Sequence, residues 1–156
     1  IVPTNEVVLI FYAKIVKKEV NMTKIALVNH GCAKNLVDSE LMLGILAEKG
    51  YEITLDDSEA EVCIVNTCSF IHDAEKESVD SILKLVNEGK KVIVTGCLPQ
   101  KHKEELKDAI PEVVAMLGTT DFTQIAETAE RYIRVFSFRS NSIKAHVRHH
   151  QSPGCG

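Results

Sequence analysis

Short apolar segments alternate with longer amphipathic ones along most of this chain, and that alternation restricts the fold more than any other feature. The apolar segments at 25–28, 62–65 and 92–94 have the length and composition of buried strands. Segments 37–49 and 73–88 carry apolar residues at helical spacing, and each is followed by a glycine that suits a helix end. Short apolar strands separated by helices are typical of an open, mostly parallel sheet with helices on both faces.

The remaining segments complete a predicted order of β-α-β-β-α-β-α-β-α. They are a strand at 51–55, a helix at 99–109, a strand at 113–117 and a helix that ends at Ile133. Thr120 or Asp121 is expected to cap the last helix. The step from the second strand to the third is unusual, because residues 56–61 are too few for a helical crossover.

Each of the two long helical segments has an apolar face that we expect to pack on the sheet. In segment 37–49 the face contains Val37, Leu41 and Ile45, widened by Met42 and Leu46. In segment 73–88 it contains Val79, Ile82, Leu83 and Val86.

Length and composition suit one globular domain. The chain has 156 residues, of which 45% are hydrophobic and 26% charged, and no apolar run approaches the roughly 18 residues that cross a bilayer. We expect the domain to occupy 22–135. Residues 1–21 are then an N-terminal extension and 136–156 an irregular basic tail, and either could be foreign to the native protein. The basic residues near the end are too few to predict direct nucleic-acid binding.

Three of the five cysteines lie where a predicted strand runs into a helix. Cys32, Cys68 and Cys97 follow the first, third and fourth strands. Ligands of open α/β sheets bind outside the carboxyl ends of the strands. The order 2-1-3-4-5 places these three strands side by side, about 4.8 Å apart. The cysteines therefore favour that order and predict one shared site, whereas Cys63, inside an apolar strand, is expected in the core.

The number and spacing of the cysteines narrow the kind of site. An odd number argues against a closed disulfide framework and favours a reducing, cytoplasmic setting. Structural zinc usually takes paired C-x2-C ligands, which are absent from the sequence. A 4Fe–4S cluster usually takes four thiolates, so three would leave one iron open. His30 or His72 could supply a fourth ligand, although a loop histidine more often makes hydrogen bonds. Gly31 and Gly96 would let the backbone approach a bulky ligand.

Other uses of this fold lack their sequence signatures. Neither the G-x-G-x-x-G dinucleotide fingerprint nor the G-x4-G-K-[ST] phosphate loop occurs. A cysteine phosphatase loop would need arginine six places after a cysteine, and Asp38, Ala74 and Lys103 stand there instead.

Three blocks of the sequence resemble the N-terminal domain of the radical-SAM methylthiotransferases. They are GCAKNLVDSE at 31–40, AEVCIVNTC at 60–68 and GCLPQ at 96–100. Within that family, Lys34-Asn35, Glu77-Ser78 and Leu98-Pro99-Gln100 are most similar to the branch that modifies a ribosomal small-subunit protein.

The resemblance implies that Cys32, Cys68 and Cys97 bind an auxiliary 4Fe–4S cluster whose open iron carries the sulfur to be inserted. The implied reaction is methylthiolation of an aspartate in the ribosomal protein, which would be the substrate partner. A second 4Fe–4S cluster and S-adenosylmethionine would belong to a barrel domain with a Cys-x3-Cys-x2-Cys motif, which this sequence lacks. The barrel and a C-terminal substrate-binding domain are also partners by resemblance. We therefore expect a fragment that is inactive alone and has no membrane partner.

Three alternatives remain open from the sequence. The chain could belong to the branch that modifies tRNA. It could be a thiol redox or persulfide-carrier module that uses the same cysteines without iron. It could also be a docking domain whose binding does not depend on the cysteines.

Overall fold

The computed structural model describes residues 23–134, which form a five-stranded sheet covered by helices. The strands are β1 (Lys24–Asn29), β2 (Glu52–Thr54), β3 (Val62–Thr67), β4 (Lys91–Gly96) and β5 (Ala115–Leu117). The helices are α1 (Ala33–Glu48), α2 (His72–Asn87), α3 (Cys97–Ala109) and α4 at 125–134, which follows a 3-10 turn at Phe122–Gln124. The predicted succession of elements is present, and the differences lie at element ends.

All strand pairs are parallel and the sheet order is β2-β1-β3-β4-β5, so the predicted topology is confirmed. In this order β1, β3 and β4 are neighbours. Near their carboxyl ends the three strands are in register, because Asn29 pairs with Asn66 and Asn66 pairs with Thr95. The carboxyl ends of the three central strands therefore lie at one level of the sheet.

The short connection between β2 and β3 is possible because β2 covers only the first half of β1. β2 ends where Thr54 pairs with Ala26, and β3 begins where Val62 pairs with Ile25. The end of β2 and the start of β3 thus differ by only one residue in their register with β1. Residues 55–61 can span this short distance without a helix.

The sheet separates two apolar cores, because alternate residues of a strand face opposite sides. The core under α1 and α4 includes Ile25, Met42, Leu46, Ile64, Ile93 and Ile125. The core under α2 and α3 includes Cys63, Val65, Ile82, Leu85, Val92, Val94 and Leu106. The result is a helix, sheet and helix sandwich, as predicted.

The buried face of α1 is not the predicted one. Val37 and Leu41, expected to face the core, are 53% and 49% exposed. The buried residues of α1 are Asn35, Ser39, Met42 and Leu46. The prediction was wrong because it defined the buried face by apolar residues alone, whereas Asn35 and Ser39 are buried and hydrogen-bonded inside the protein.

The buried face of α2 was predicted more closely. Ile82 is fully buried, and Val79 and Val86 pack against the same core. Leu83 is 40% exposed, contrary to the prediction, and Leu85 takes the core position instead. The apolar face of α2 is thus shifted by part of a turn.

The expected cap of the last helix is absent. The Asp121 carboxylate accepts a hydrogen bond from the Gly118 amide behind it (3.3 Å), and Thr120 donates its hydroxyl to Asp121 (3.5 Å). Neither side chain caps the 3-10 turn that follows. The α-helix begins only at 125, after that turn.

The predicted terminal segments, 1–21 and 136–156, lie outside the described residues, and their boundaries stay predictions. Between residues 23 and 134, no helix combines the length and apolar character that crossing a membrane would require.

The two leucines of α1 test its orientation. Leu46 is fully buried and Leu41 is half exposed. We expect Leu46→Ala to lower the free energy of unfolding by about 2–5 kcal/mol, because it leaves a cavity under the sheet. Leu41→Ala should cost less than about 1 kcal/mol. Urea unfolding of the two variants measures both values, and equal losses would contradict the orientation described here.

Candidate metal centre

The three cysteines singled out from the sequence lie at the carboxyl edge of the sheet. Cys32 lies between β1 and α1, Cys68 directly follows β3, and Cys97 is the first residue of α3 directly after β4. All three carry free thiols. Because β1, β3 and β4 are in register near their carboxyl ends, the segments that carry these cysteines leave the sheet side by side.

Cys32 is exposed at the N-cap position of α1. The backbone amides of Asn35 and Lys34 lower the pKa of its thiol, because they stabilise the thiolate at the start of the helix. The Cys32 thiol also donates a hydrogen bond to Asn35 Oδ1, with a sulfur–oxygen distance of 3.8 Å. Cys32 should therefore ionise more readily than an ordinary cysteine.

Cys97 is half-buried, and the pKa of its thiol is shifted in the opposite direction. Burial is the main reason that its pKa is raised, and the negative charges of Cys68 and Cys32 raise it further. Charges influence one another in this way only over short distances. Cys68 itself is only 4% exposed. Cys97 thus lies close enough to Cys32 and Cys68 for their charges to affect its pKa.

Lys34 supplies positive charge to this group. It lies on the first turn of α1, and its Nζ is 2.8 Å from Asp38 Oδ2. The hydrogen bond to Asp38 is the main reason that the Lys34 pKa is raised, and the charges of Cys97 and Cys32 contribute to the same shift. In return, Lys34 favours the thiolate form of both cysteines.

Gly31 and Gly96 have backbone conformations that other residues rarely adopt, with φ of 128° and 99°. A Cβ atom on Gly96 would lie 2.6 Å from Asn66 Oδ1, and one on Gly31 would lie 2.9 Å from Cys68 Cβ. The close approach that these glycines allow is therefore between parts of the chain itself. They bring the three cysteine loops together.

The two histidines near the site have different positions. Nε2 of His30 is 2.7 Å from Ser81 Oγ, and its Nδ1 is 3.8 Å from Glu77 Oε2. Both ring nitrogens of His30 thus face α2, and the expected hydrogen-bonding role is confirmed. His72 is the exposed first residue of α2.

Buried polar side chains lie beneath the cysteine loops, and their burial was not predicted from the sequence. They are Asn35, Ser39, Asn66, Thr67, Ser78 and Thr95. One signal was available: the strand VCIVNT ends in Asn66 and Thr67, and both are as deeply buried as its valines. The sequence suggested only that Asn35 marks a family branch.

Cys63 lies away from the other three thiols, as predicted. Its side chain is fully buried in the core between the sheet and the α2 and α3 layer. Burial raises the pKa of this thiol to about 11. Cys63 is therefore a core residue, and it provides a natural control for substitutions at the other cysteines.

The donor set fits a multi-iron cluster better than a single ion. Among residues 23–134, no three His, Cys, Asp or Glu side chains are placed to bind one metal ion together. Zinc needs such a close set, usually of four ligands. In a 4Fe–4S cluster each thiolate binds its own iron, so the sulfur ligands stand farther apart. Three free thiols that follow neighbouring parallel strands suit the wider spacing of the cluster's sulfur ligands.

A family model matches residues 24–118, and its description is "Uncharacterized protein family UPF0004". The match extends from β1 to the residue after β5 and includes all three cysteine loops.

Curated relatives cover the same part of the chain. One is ribosomal protein uS12 methylthiotransferase RimO of Trichlorobacter lovleyi, 53% identical over 109 residues, 67% of this chain and 24% of the relative. The protein of the same name from Lachnoclostridium phytofermentans is 44% identical over 80% of this chain and 30% of its own length. That from Geobacter sulfurreducens is 52% identical over 69% and 25%. The chain thus spans about a quarter of the length of these relatives.

The cysteine environments predict an order of alkylation. In the metal-free protein at about pH 8, iodoacetamide should modify Cys32 before Cys97, because only the thiolate reacts and the Cys32 pKa is lowered while that of Cys97 is raised. Cys63 should react last. Raising the pH should narrow the difference between Cys32 and Cys97. Peptide mass spectrometry over time measures the order, with urea-unfolded protein as the control. Equal rates for Cys32 and Cys97 in the folded protein would contradict these environments.

Proposed function

The chain belongs to the Uncharacterized protein family UPF0004 and corresponds to the N-terminal domain of the ribosomal-protein branch of the methylthiotransferases, and from this membership we propose that it binds an auxiliary 4Fe–4S cluster. Cys32, Cys68 and Cys97 are the proposed iron ligands. The observation that carries the proposal is the placement of three free thiols directly beyond the neighbouring, parallel strands β1, β3 and β4.

The residues around the thiols suit the binding of iron. Metal binding needs thiolates, and the amides at the start of α1 lower the cost of ionising Cys32. Burial opposes the ionisation of Cys97, but a bound cation would offset this penalty. Lys34 adds a positive charge beside the ligands, which balances part of the negative charge that they bring.

Three ligands would leave one coordination position open. When bound, a 4Fe–4S cluster held by three thiolates supplies an iron at which sulfur can be held for transfer. His30 would not supply a fourth ligand, because its ring nitrogens face Ser81 Oγ and Glu77 Oε2 on α2. Cys32 is exposed and Cys97 is half-buried, so two of the three proposed ligands are accessible from solvent.

The activity of the whole enzyme is a broader proposal. The named relatives are methylthiotransferases of ribosomal protein uS12. By extension, the protein would act in the cytoplasm and transfer a methylthio group to an aspartate of that ribosomal protein. S-adenosylmethionine and a second 4Fe–4S cluster would bind to a radical-SAM barrel, and a C-terminal domain would bind the substrate. This chain would supply the sulfur-holding part.

A second candidate is a persulfide carrier that works without iron. It is favoured by the exposed Cys32, whose lowered pKa is typical of a nucleophilic thiol. Such a carrier would depend on Cys32 and much less on Cys68, which is buried.

Anaerobic reconstitution with iron and sulfide tests the proposal. The 156-residue chain should bind about four irons and acquire the absorbance of thiolate bound to iron. Cys68→Ala should lose most of this iron, because it removes one of three ligands. Cys63→Ala is the matched control and should keep it, since Cys63 lies in the core.

Two results would count against cluster binding. The first is the same iron content and absorbance in Cys68→Ala as in the unchanged chain. The second is equal loss in Cys63→Ala, which would trace the effect to folding. Sulfur transfer by metal-free protein that is abolished by Cys32→Ala but not by Cys68→Ala would favour the persulfide carrier.

A further inference from the structure

A single buried amide joins two of the cysteine loops. Nδ2 of Asn35 donates to the carbonyl oxygen of His30 at 3.1 Å and to that of Thr67 at 2.9 Å. His30 lies two residues before Cys32, and Thr67 lies directly before Cys68. Asn35 is only 2% exposed, so water does not compete effectively for these bonds. The Cys32 and Cys68 loops are therefore tied together on the side that faces the protein.

A single buried hydroxyl joins the second and third loops in the same way. Oγ1 of Thr67 donates to the carbonyl oxygen of Thr95 at 2.7 Å and accepts from the amide of Leu98 at 3.2 Å. These two groups lie on either side of Cys97 along the chain. Thr67 is fully buried. Together, Asn35 and Thr67 link the three loops through four hydrogen bonds.

The location of these polar groups argues that they serve the site as well as the fold. Of the seven buried polar residues in the described part of the chain, all except Thr23 lie at the cysteine end of the sheet. Apolar residues of similar shape would be the less costly choice in a buried sheet. Buried polar networks specify one arrangement when every group is satisfied, and no buried side-chain nitrogen or oxygen of the described residues lacks a partner.

We propose that Asn35 and Thr67 are positioning residues that fix the spacing of the Cys32, Cys68 and Cys97 sulfur atoms before any metal binds. The cluster as the ligand rests on the proposed function, whereas the fixed spacing does not. Each residue has its own pair: Asn35 fixes Cys32 relative to Cys68, and Thr67 fixes Cys68 relative to Cys97. A ligand that needs all three thiols then binds without first ordering the loops.

Two matched pairs of variants separate positioning from general packing. Thr67→Val keeps the shape of the side chain and removes both of its hydrogen bonds. Thr95→Val is its control, since Thr95 is also buried on the adjacent strand and its hydroxyl has no part in these links. Asn35→Ala removes the other link. Ser39→Ala is its control, because Ser39 is equally buried one turn later but bonds the side chains of Asn29 and Asn66 within the strands, and not the carbonyl groups of His30 and Thr67.

Bifunctional methanethiosulfonate reagents of graded spacer length measure the spacing in metal-free protein. The full chain carries Cys63→Ala and Cys155→Ala, and one further cysteine is replaced so that a single pair remains. In the protein that carries only these cysteine replacements, one spacer length should cross-link each pair about ten times faster than the other lengths do. Thr67→Val should flatten this length preference for Cys68 with Cys97 only. Asn35→Ala should flatten it for Cys32 with Cys68 only.

The outcomes either support or overturn the proposal. A flattened preference confined to the expected pair supports it, since general loss of stability would affect both pairs. Equal profiles in each variant and its control overturn it, as does flattening of both pairs. If far-UV circular dichroism shows that Thr67→Val is unfolded, the comparison of Asn35→Ala with Ser39→Ala decides the outcome. The electron paramagnetic resonance signal of iron-loaded protein after reduction with dithionite, measured in parallel, should be altered by Thr67→Val and not by Thr95→Val. An unchanged chain that takes up no iron would defeat cluster binding, and the cross-linking profiles would still decide the question of spacing.

Discussion

The parallel, in-register pairing of β1, β3 and β4 is the constraint on which the rest of this structure depends. It places Asn29, Asn66 and Thr95 in one row, so the segments that follow them begin at the same height. Cysteines that are 36 and 29 residues apart in sequence thereby become neighbours. A slip of one residue would turn each strand's side chains to the opposite face and separate the loops. The two apolar cores oppose such a slip.

Three chemically identical side chains acquire different properties from their positions in this fold. Cys32 faces backbone amides at a helix start, Cys97 is partly withdrawn from water, and Cys63 is enclosed by apolar side chains. These differences arise from the positions of the residues relative to helix ends and layers. The same residue type can therefore be a readily ionised thiol at a helix start and an inert core side chain within a strand.

Much of the fold followed from the sequence because strands and helices differ in the spacing of their apolar residues. The positions of Cys32, Cys68 and Cys97 favoured the observed strand order, since it places the strands that carry them side by side. The buried face of α1 did not follow, because hydrogen-bonded interior residues such as Asn35 and Ser39 look the same in a sequence as solvent-exposed ones. The links made by Asn35 and Thr67 escaped prediction for the same reason. They depend on carbonyl groups that no side-chain pattern reveals.

The missing side chain at Gly96 has a consequence for how this domain can vary between species. Even a methyl group there would collide with the Thr67 carbonyl oxygen and the Asn66 side chain. The opposite end of the sheet is lined by valine and isoleucine, which can replace one another at modest cost. Tolerance of mutation should therefore be strongly polarised along the strands. Sequence drift can exchange apolar residues of similar size at the amino end of the sheet, while position 96 at the carboxyl end is restricted to glycine.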